Sequence, residues 1–103
     1  MIAATPPPAR VQVVAQEFSL VPSRSRIPAG RAIIELANFG EDAHDLRLKR
    51  DGGTHVWGWP VVQSGGVADR TVTLPAGRYS LWCSLGNHRA LGMVARIVVV
   101  RQR

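Results

Sequence analysis

From Val11 onward the apolar positions recur with a period of two rather than 3.6, the mark of strands that each bury one face. Residues 44–50 show it most clearly: His44, Leu46 and Leu48 share one face, Asp45, Arg47 and Lys49 the other. Residues 78–83 alternate in the same way, with Tyr79, Leu81 and Cys83 opposite Arg78, Ser80 and Trp82. In the β-branched run 94–101, placing Arg96 in water turns Met93, Ala95, Ile97 and Val99 inward. Further strands are predicted at 11–18, 31–39, 54–59 and 68–74. The turns between them are written in Pro28-Ala29-Gly30, Asp51-Gly52-Gly53, Ser64-Gly65-Gly66 and Pro75-Ala76-Gly77. No segment carries a helical stripe. Short strands separated by glycine and proline turns predict an all-β fold, an antiparallel Greek-key β-sandwich of about 7–8 strands.

The chain's 103 residues allow one domain and exclude the large barrel and doubly wound architectures. Residues 1–10, with three successive prolines, read as a flexible lead-in, and residues 11–103 as the domain. The lead-in has no basic stretch followed by an apolar core and a small-residue cleavage site, so no secretory signal is expected within it. Thirteen Lys and Arg against seven Asp and Glu give a net charge of +6, nearly all of it arginine. Such a surface favours encounter with acidic proteins, anionic lipid or nucleic acid, without choosing among them. The arginines are dispersed and not interleaved with aromatics, which argues against a nucleic-acid stripe. Trp57 and Trp59 share one face by alternation and are expected to cover the sheet or an edge; His55 has no partner at ligand spacing.

Chemistry concentrates in LWCSLGNHRALGM, residues 81–93, where Cys83, His88 and Met93 are spaced C-x4-H-x4-M across the loop joining the last two strands. Cys83 ends one strand and Met93 opens the next, both on the inward face, and the loop between them can fold His88 over the end of the sandwich. His44, inward at the start of its strand, can reach the same end. Taken singly, Cys83 is a small buried hydrophobe, Met93 a core filler and His44 a strand-end histidine. Together they offer two imidazoles, a thiolate and a thioether at one pole. A His2Cys set with a long axial Met is the blue-copper arrangement. Structural zinc takes four Cys or His ligands, which makes it a poor match. The single cysteine excludes a binuclear copper site and any internal disulfide.

In these motifs, residues 38–46 and 79–93, the sequence resembles the cupredoxin family of blue copper proteins. Its Cys-to-His gap is similar to that of auracyanin and rusticyanin and longer than that of plastocyanin. The resemblance implies a single type 1 copper held by His44, Cys83, His88 and Met93. It implies a supporting role for Asn38, Asp45 and Ser84, with Asp45 bonded to Ser84 and bracing the loop. Asp45 stands where plastocyanin and azurin have asparagine, and a carboxylate so near the thiolate favours Cu(II). Gly86-Asn87 replaces the family's Pro-Gly before the second histidine.

The resemblance also implies that His88 emerges in a docking patch made by Leu85, Arg89, Ala90 and Leu91. Trp82, where plastocyanin has a tyrosine, would mark a second electron route. The function so implied is one-electron transfer between redox proteins, with partners that dock an acidic surface. The expected protein is a monomer and not an enzyme, works outside the cytoplasm, and binds no nucleic acid. Its proline-rich lead-in would suit a linker from a removed signal peptide or membrane anchor in a longer native form. Two other readings stand beside this one: copper storage or delivery, and a metal-free interaction domain.

Overall fold

A computed structural model describes residues 6–101. Nine strands and one helical turn follow in the order β1 (Ala9–Gln16), β2 (Ser19–Pro22), β3 (Arg26–Pro28), β4 (Gly30–Asn38), β5 (His44–Arg50), β6 (Val56–Val62), β7 (Val67–Leu74), β8 (Gly77–Trp82), α1 (His88–Leu91) and β9 (Val94–Val100). They form a four-stranded sheet, β2-β1-β4-β7, facing a five-stranded sheet, β3-β9-β8-β5-β6. The sandwich is thus the expected architecture, with two short strands, β2 and β3, beyond those read from periodicity.

Both sheets are mixed rather than wholly antiparallel, because β1 pairs in parallel with β4 and β3 in parallel with β9. Hairpin turns announce only antiparallel neighbours. These parallel pairs join strands distant along the chain, so no turn residue encodes them. The first strand, predicted over 11–18, runs from Ala9, which pairs with Ala32, to Gln16. The first five residues of the predicted lead-in lie outside the described residues. Arg31 donates to the carbonyl of Pro6 at 3.2 Å.

The alternation sets the core. Val11, Val13 and Ala15 of β1, Ile34 and Leu36 of β4, Leu46 and Leu48 of β5, and Tyr79 and Leu81 of β8 are all buried between the sheets. The tryptophan expectation needs correction. Trp57 and Trp59 oppose Leu48 and Leu46 across β5–β6 and therefore face inward rather than covering the sheet. Trp59 is fully buried, and its indole N–H donates to the Ile34 carbonyl of the other sheet at 2.9 Å. Trp57, nearer the far end, is half-buried.

Edge strand β6 tolerates Pro60, which has no N–H to give a central ladder. The register slips here, from His44 opposite Val62 to Leu46 opposite Trp59, a bulge placed beside His44. Trp59→Phe removes this inter-sheet hydrogen bond. It is expected to lower unfolding free energy by about 0.5–1.5 kcal/mol in a urea titration, on top of the lost volume; an unchanged or increased stability would contradict this.

Candidate metal centre

One pole of the sandwich carries His44, the first residue of β5; Cys83, one past β8; His88, the first residue of α1; and Met93, one before β9. The β8–β9 ladder continues past its last paired residues, Trp82 and Val94, through a bond from the Cys83 N–H to the Met93 carbonyl at 3.2 Å. The Met93 N–H in turn donates to the His88 carbonyl at 3.1 Å, and the His88 N–H to that of Leu85 at 3.0 Å. These bonds close the loop into a single helical turn over the pole. Gly92 reverses the chain with φ +125°, and a Cβ there would come within 3.0 Å of the Phe18 carbonyl oxygen; the position suits glycine on both counts.

Three of the four donors are sealed from solvent. His44, Cys83 and Met93 are buried, while the His88 side chain keeps 16% of its surface exposed. The Cys83 sulfur lies 3.5 Å from His88 Nδ1 and 4.0 Å from His44 Nδ1, and the three donor atoms fall within 4.8 Å of one another. A metal with bonds of about 2.0 Å to nitrogen and 2.3 Å to thiolate, set 120° apart, would separate such atoms by about 3.7 Å. The spacing and the donor chemistry therefore fit one metal ion of intermediate softness. Burial pushes the Cys83 thiol above the usual cysteine range, and the Asp45 charge adds to this. The backbone N–H groups of Asp45 and Leu85 work against it by favouring thiolate.

Around the donors, Asp45 is buried although it lies on the outward phase of β5. Its carboxylate accepts the Ser84 N–H at 2.6 Å and also the Ser84 hydroxyl, and Arg47 stands 3.5 Å away. The residue after the cysteine is thus tied to the residue after the first histidine. Asn38 sits at the other root of the site. Its side-chain amide donates to the carbonyls of Asp42 (2.8 Å) and Val62 (2.9 Å), and its oxygen accepts the Gly40 N–H (2.9 Å). Asn38 therefore shapes the loop leading into His44 and bonds to none of the donors.

Of the predicted docking residues, Arg89, Ala90 and Leu91 are exposed and Leu85 is half-buried. The Arg89 guanidinium lies over the half-buried Trp82 ring at 4.5 Å, so the charge and the aromatic residue form one unit. His55 stacks edge-on against Trp57, away from the four donors.

Two contacts to the imidazoles come from residues that the sequence did not single out. Glu17 accepts from His44 Nε2 at 2.5 Å, and Phe18 packs on the His88 ring with centroids 5.2 Å apart. The Glu41 N–H, then the His44 ring, hold the Glu17 carboxyl below its ordinary value. Asp42 stands 4.0 Å from His88 Nε2. Glu17 and His44 are 27 positions apart, so no local spacing could have joined them.

No protein-family model and no curated relative matches the chain. Solved structures do match. An auracyanin from the photosynthetic bacterium Roseiflexus castenholzii is 17% identical with a TM-score of 0.75, covering 89% of this chain and 97% of that one. Auracyanin A, a blue copper protein from the green thermophilic photosynthetic bacterium Chloroflexus aurantiacus, is 16% identical with a TM-score of 0.76, covering 91% and 100%. Amicyanin from Paracoccus versutus is 18% identical with a TM-score of 0.65, covering 93% and 85%. At such identities the likeness is one of fold. The chain has the cupredoxin fold, with two histidines, a cysteine and a methionine gathered at the pole where its last two strands meet.

Proposed function

We propose that this chain is a blue copper electron carrier: a single type 1 copper held by His44, Cys83, His88 and Met93, passing one electron at a time between redox proteins. The observation that carries this reading is the buried thiol flanked by two Nδ1 atoms at 3.5 and 4.0 Å. When bound, copper supplies a one-electron Cu(II)/Cu(I) couple, since thiolate and thioether suit the reduced ion and imidazole the oxidised one.

The chain's own residues supply the rest. The donors hang from strand ends and from a loop closed by backbone bonds, so they have little freedom to move between oxidation states. Asp45 holds Ser84, and through it the Cys83 segment, in place. Four protein donors leave no open position for a substrate, which favours a carrier over an enzyme. Burial of three of them speaks against a site built for ready metal exchange in storage or delivery.

His88 is the donor that reaches the surface, and its ring edge is the shortest path for an electron in or out. Phe18 packs on its ring, the His88 N–H donates to the Leu85 carbonyl, and Arg89, Ala90 and Leu91, which follow it in α1, are exposed. Trp82 under Arg89 adjoins Cys83 along the chain and offers a second entry. Arg47 lies opposite Trp82 in the β5–β8 register, so this flank is basic and suits an acidic partner. We place the protein outside the cytoplasm, acting as a monomer, on its resemblance to the cupredoxins. Among the described residues no helix is long and apolar enough to cross a membrane.

Titrating the metal-free protein with Cu(II) should give an intense blue thiolate-to-copper band and narrow parallel hyperfine splitting by electron paramagnetic resonance, both abolished in Cys83→Ser. A colourless complex with tetragonal copper signals would overturn the proposal. Met93→Leu should keep the blue band and raise the reduction potential, because an axial donor is exchanged for an apolar neighbour.

In the metal-free protein, Cys83 should react with iodoacetamide more slowly than in the unfolded chain at pH 8, because it is buried and its thiol holds its proton. A raised thiol pKa suppresses thiolate near neutrality, so the rate should go on climbing above the pH at which an ordinary cysteine levels off. A plateau at the ordinary pH would contradict that. With an acidic redox partner, Arg89→Glu should slow association and flatten its dependence on ionic strength, as stopped-flow kinetics would read.

A further inference from the structure

The turn joining β1 to β2 lies against both imidazoles of the pole at once: Glu17 meets His44, and the next residue, Phe18, packs on His88. Of the two contacts, that of Glu17 is the more specific. A carboxylate only accepts, so its bond to His44 Nε2 places the ring proton on that nitrogen and leaves Nδ1, the atom 4.0 Å from the Cys83 sulfur, with its lone pair free. His44 is wholly buried, and the Glu17 carboxylate is its only hydrogen-bond partner other than the cysteine among the described residues.

The carboxylate is itself held. Its second oxygen accepts the Glu41 N–H at 2.5 Å, within the loop that leads into His44. Gly40 of that loop passes so close that the Glu17 carboxylate occupies the space a Cβ there would need.

Charge points the same way. In a protein of net charge +6, three of only seven acidic residues stand at this pole: Glu17 on His44, Asp42 near His88, and Asp45, which faces Arg47 at 3.5 Å, on the segment after Cys83. Negative charge so placed favours the more highly charged form of a bound ion.

We propose that Glu17 is a positioning and tuning residue for the metal, fixing His44 as an Nδ1 donor and biasing the site toward Cu(II); this rests on the copper reading above. A carboxylate behind a ligating histidine orients the ring and raises its basicity. Glu17 acts from outside the donor set, through His44 alone.

The test compares wild type with Glu17→Gln and Glu17→Ala. Nitrogen-15 spectra of the metal-free protein should show His44 as the Nε2–H tautomer with a slowly exchanging ring proton, weakened in Glu17→Gln and lost in Glu17→Ala. Competition titrations should show Cu(II) affinity falling about 10–100-fold in Glu17→Ala, with a smaller change for Cu(I). Each tenfold change in that ratio raises the potential by about 59 mV. Glu17→Gln keeps one acceptor oxygen without the charge, and should fall between the two.

Equal losses of Cu(II) and Cu(I) affinity with an unchanged potential would mean that Glu17 only packs the turn, and would overturn the proposal. So would an unchanged His44 ring signal in Glu17→Ala. Because the ring signal is read without metal, failure of this assignment is distinguishable from failure of the copper reading, which would appear as a wild-type protein without a blue band.

Discussion

The hydrogen bond from the Cys83 N–H to the Met93 carbonyl extends the β8–β9 ladder beyond its last paired strand residues, and the site depends on it. It fixes the two ends of the loop that presents His88, and it sets the cysteine and the methionine side by side on the inner face. The nine residues between them then have one compact way to close, a single turn whose Met93 N–H reaches back to His88. Burial does the remainder. The thiol is held between two imidazoles, with the backbone N–H groups of Asp45 and Leu85 turned toward it, an arrangement that suits a thiolate ligand.

Charge is mixed around the pole. Glu17, Asp42 and Asp45 stand against the imidazoles or the segment after the cysteine. Two arginines border them: Arg47 stands 3.5 Å from Asp45, and Arg89, next to His88, lies over Trp82 on the outer face of the five-stranded sheet. The three carboxylates lower the local potential at the donors in a protein of net charge +6, which favours a cation there.

Much of this was legible in the chain. Period-two alternation in residues 44–50 and 78–83 placed His44 and Cys83 inward, and the C-x4-H-x4-M spacing gave the loop. Asp45 and Ser84 stand together as the resemblance implied, and the bond between them explains how an outward-phase carboxylate comes to be buried. What alternation could not show is which sheet face has another sheet behind it. Trp59 therefore read as a cover, whereas its indole bridges to Ile34 across the core. The parallel pairing of β1 with β4 was hidden for a related reason, since only hairpins leave a local trace. Glu17 was hidden by distance: a carboxylate in a turn looks solvated until the fold brings His44 against it.

On the copper reading proposed above, the donors stand close to their places before any ion binds, so a bound ion would change oxidation state with little rearrangement of them. X-ray absorption at the copper edge, on the same sample oxidised and then reduced, reads this. Two nitrogens and one short sulfur are expected in both states, with bond lengths that change by less than about 0.1–0.2 Å, within the tolerance of a well-formed site. A shell of nitrogen and oxygen without short sulfur, or loss of a nitrogen on reduction at neutral pH, would contradict it.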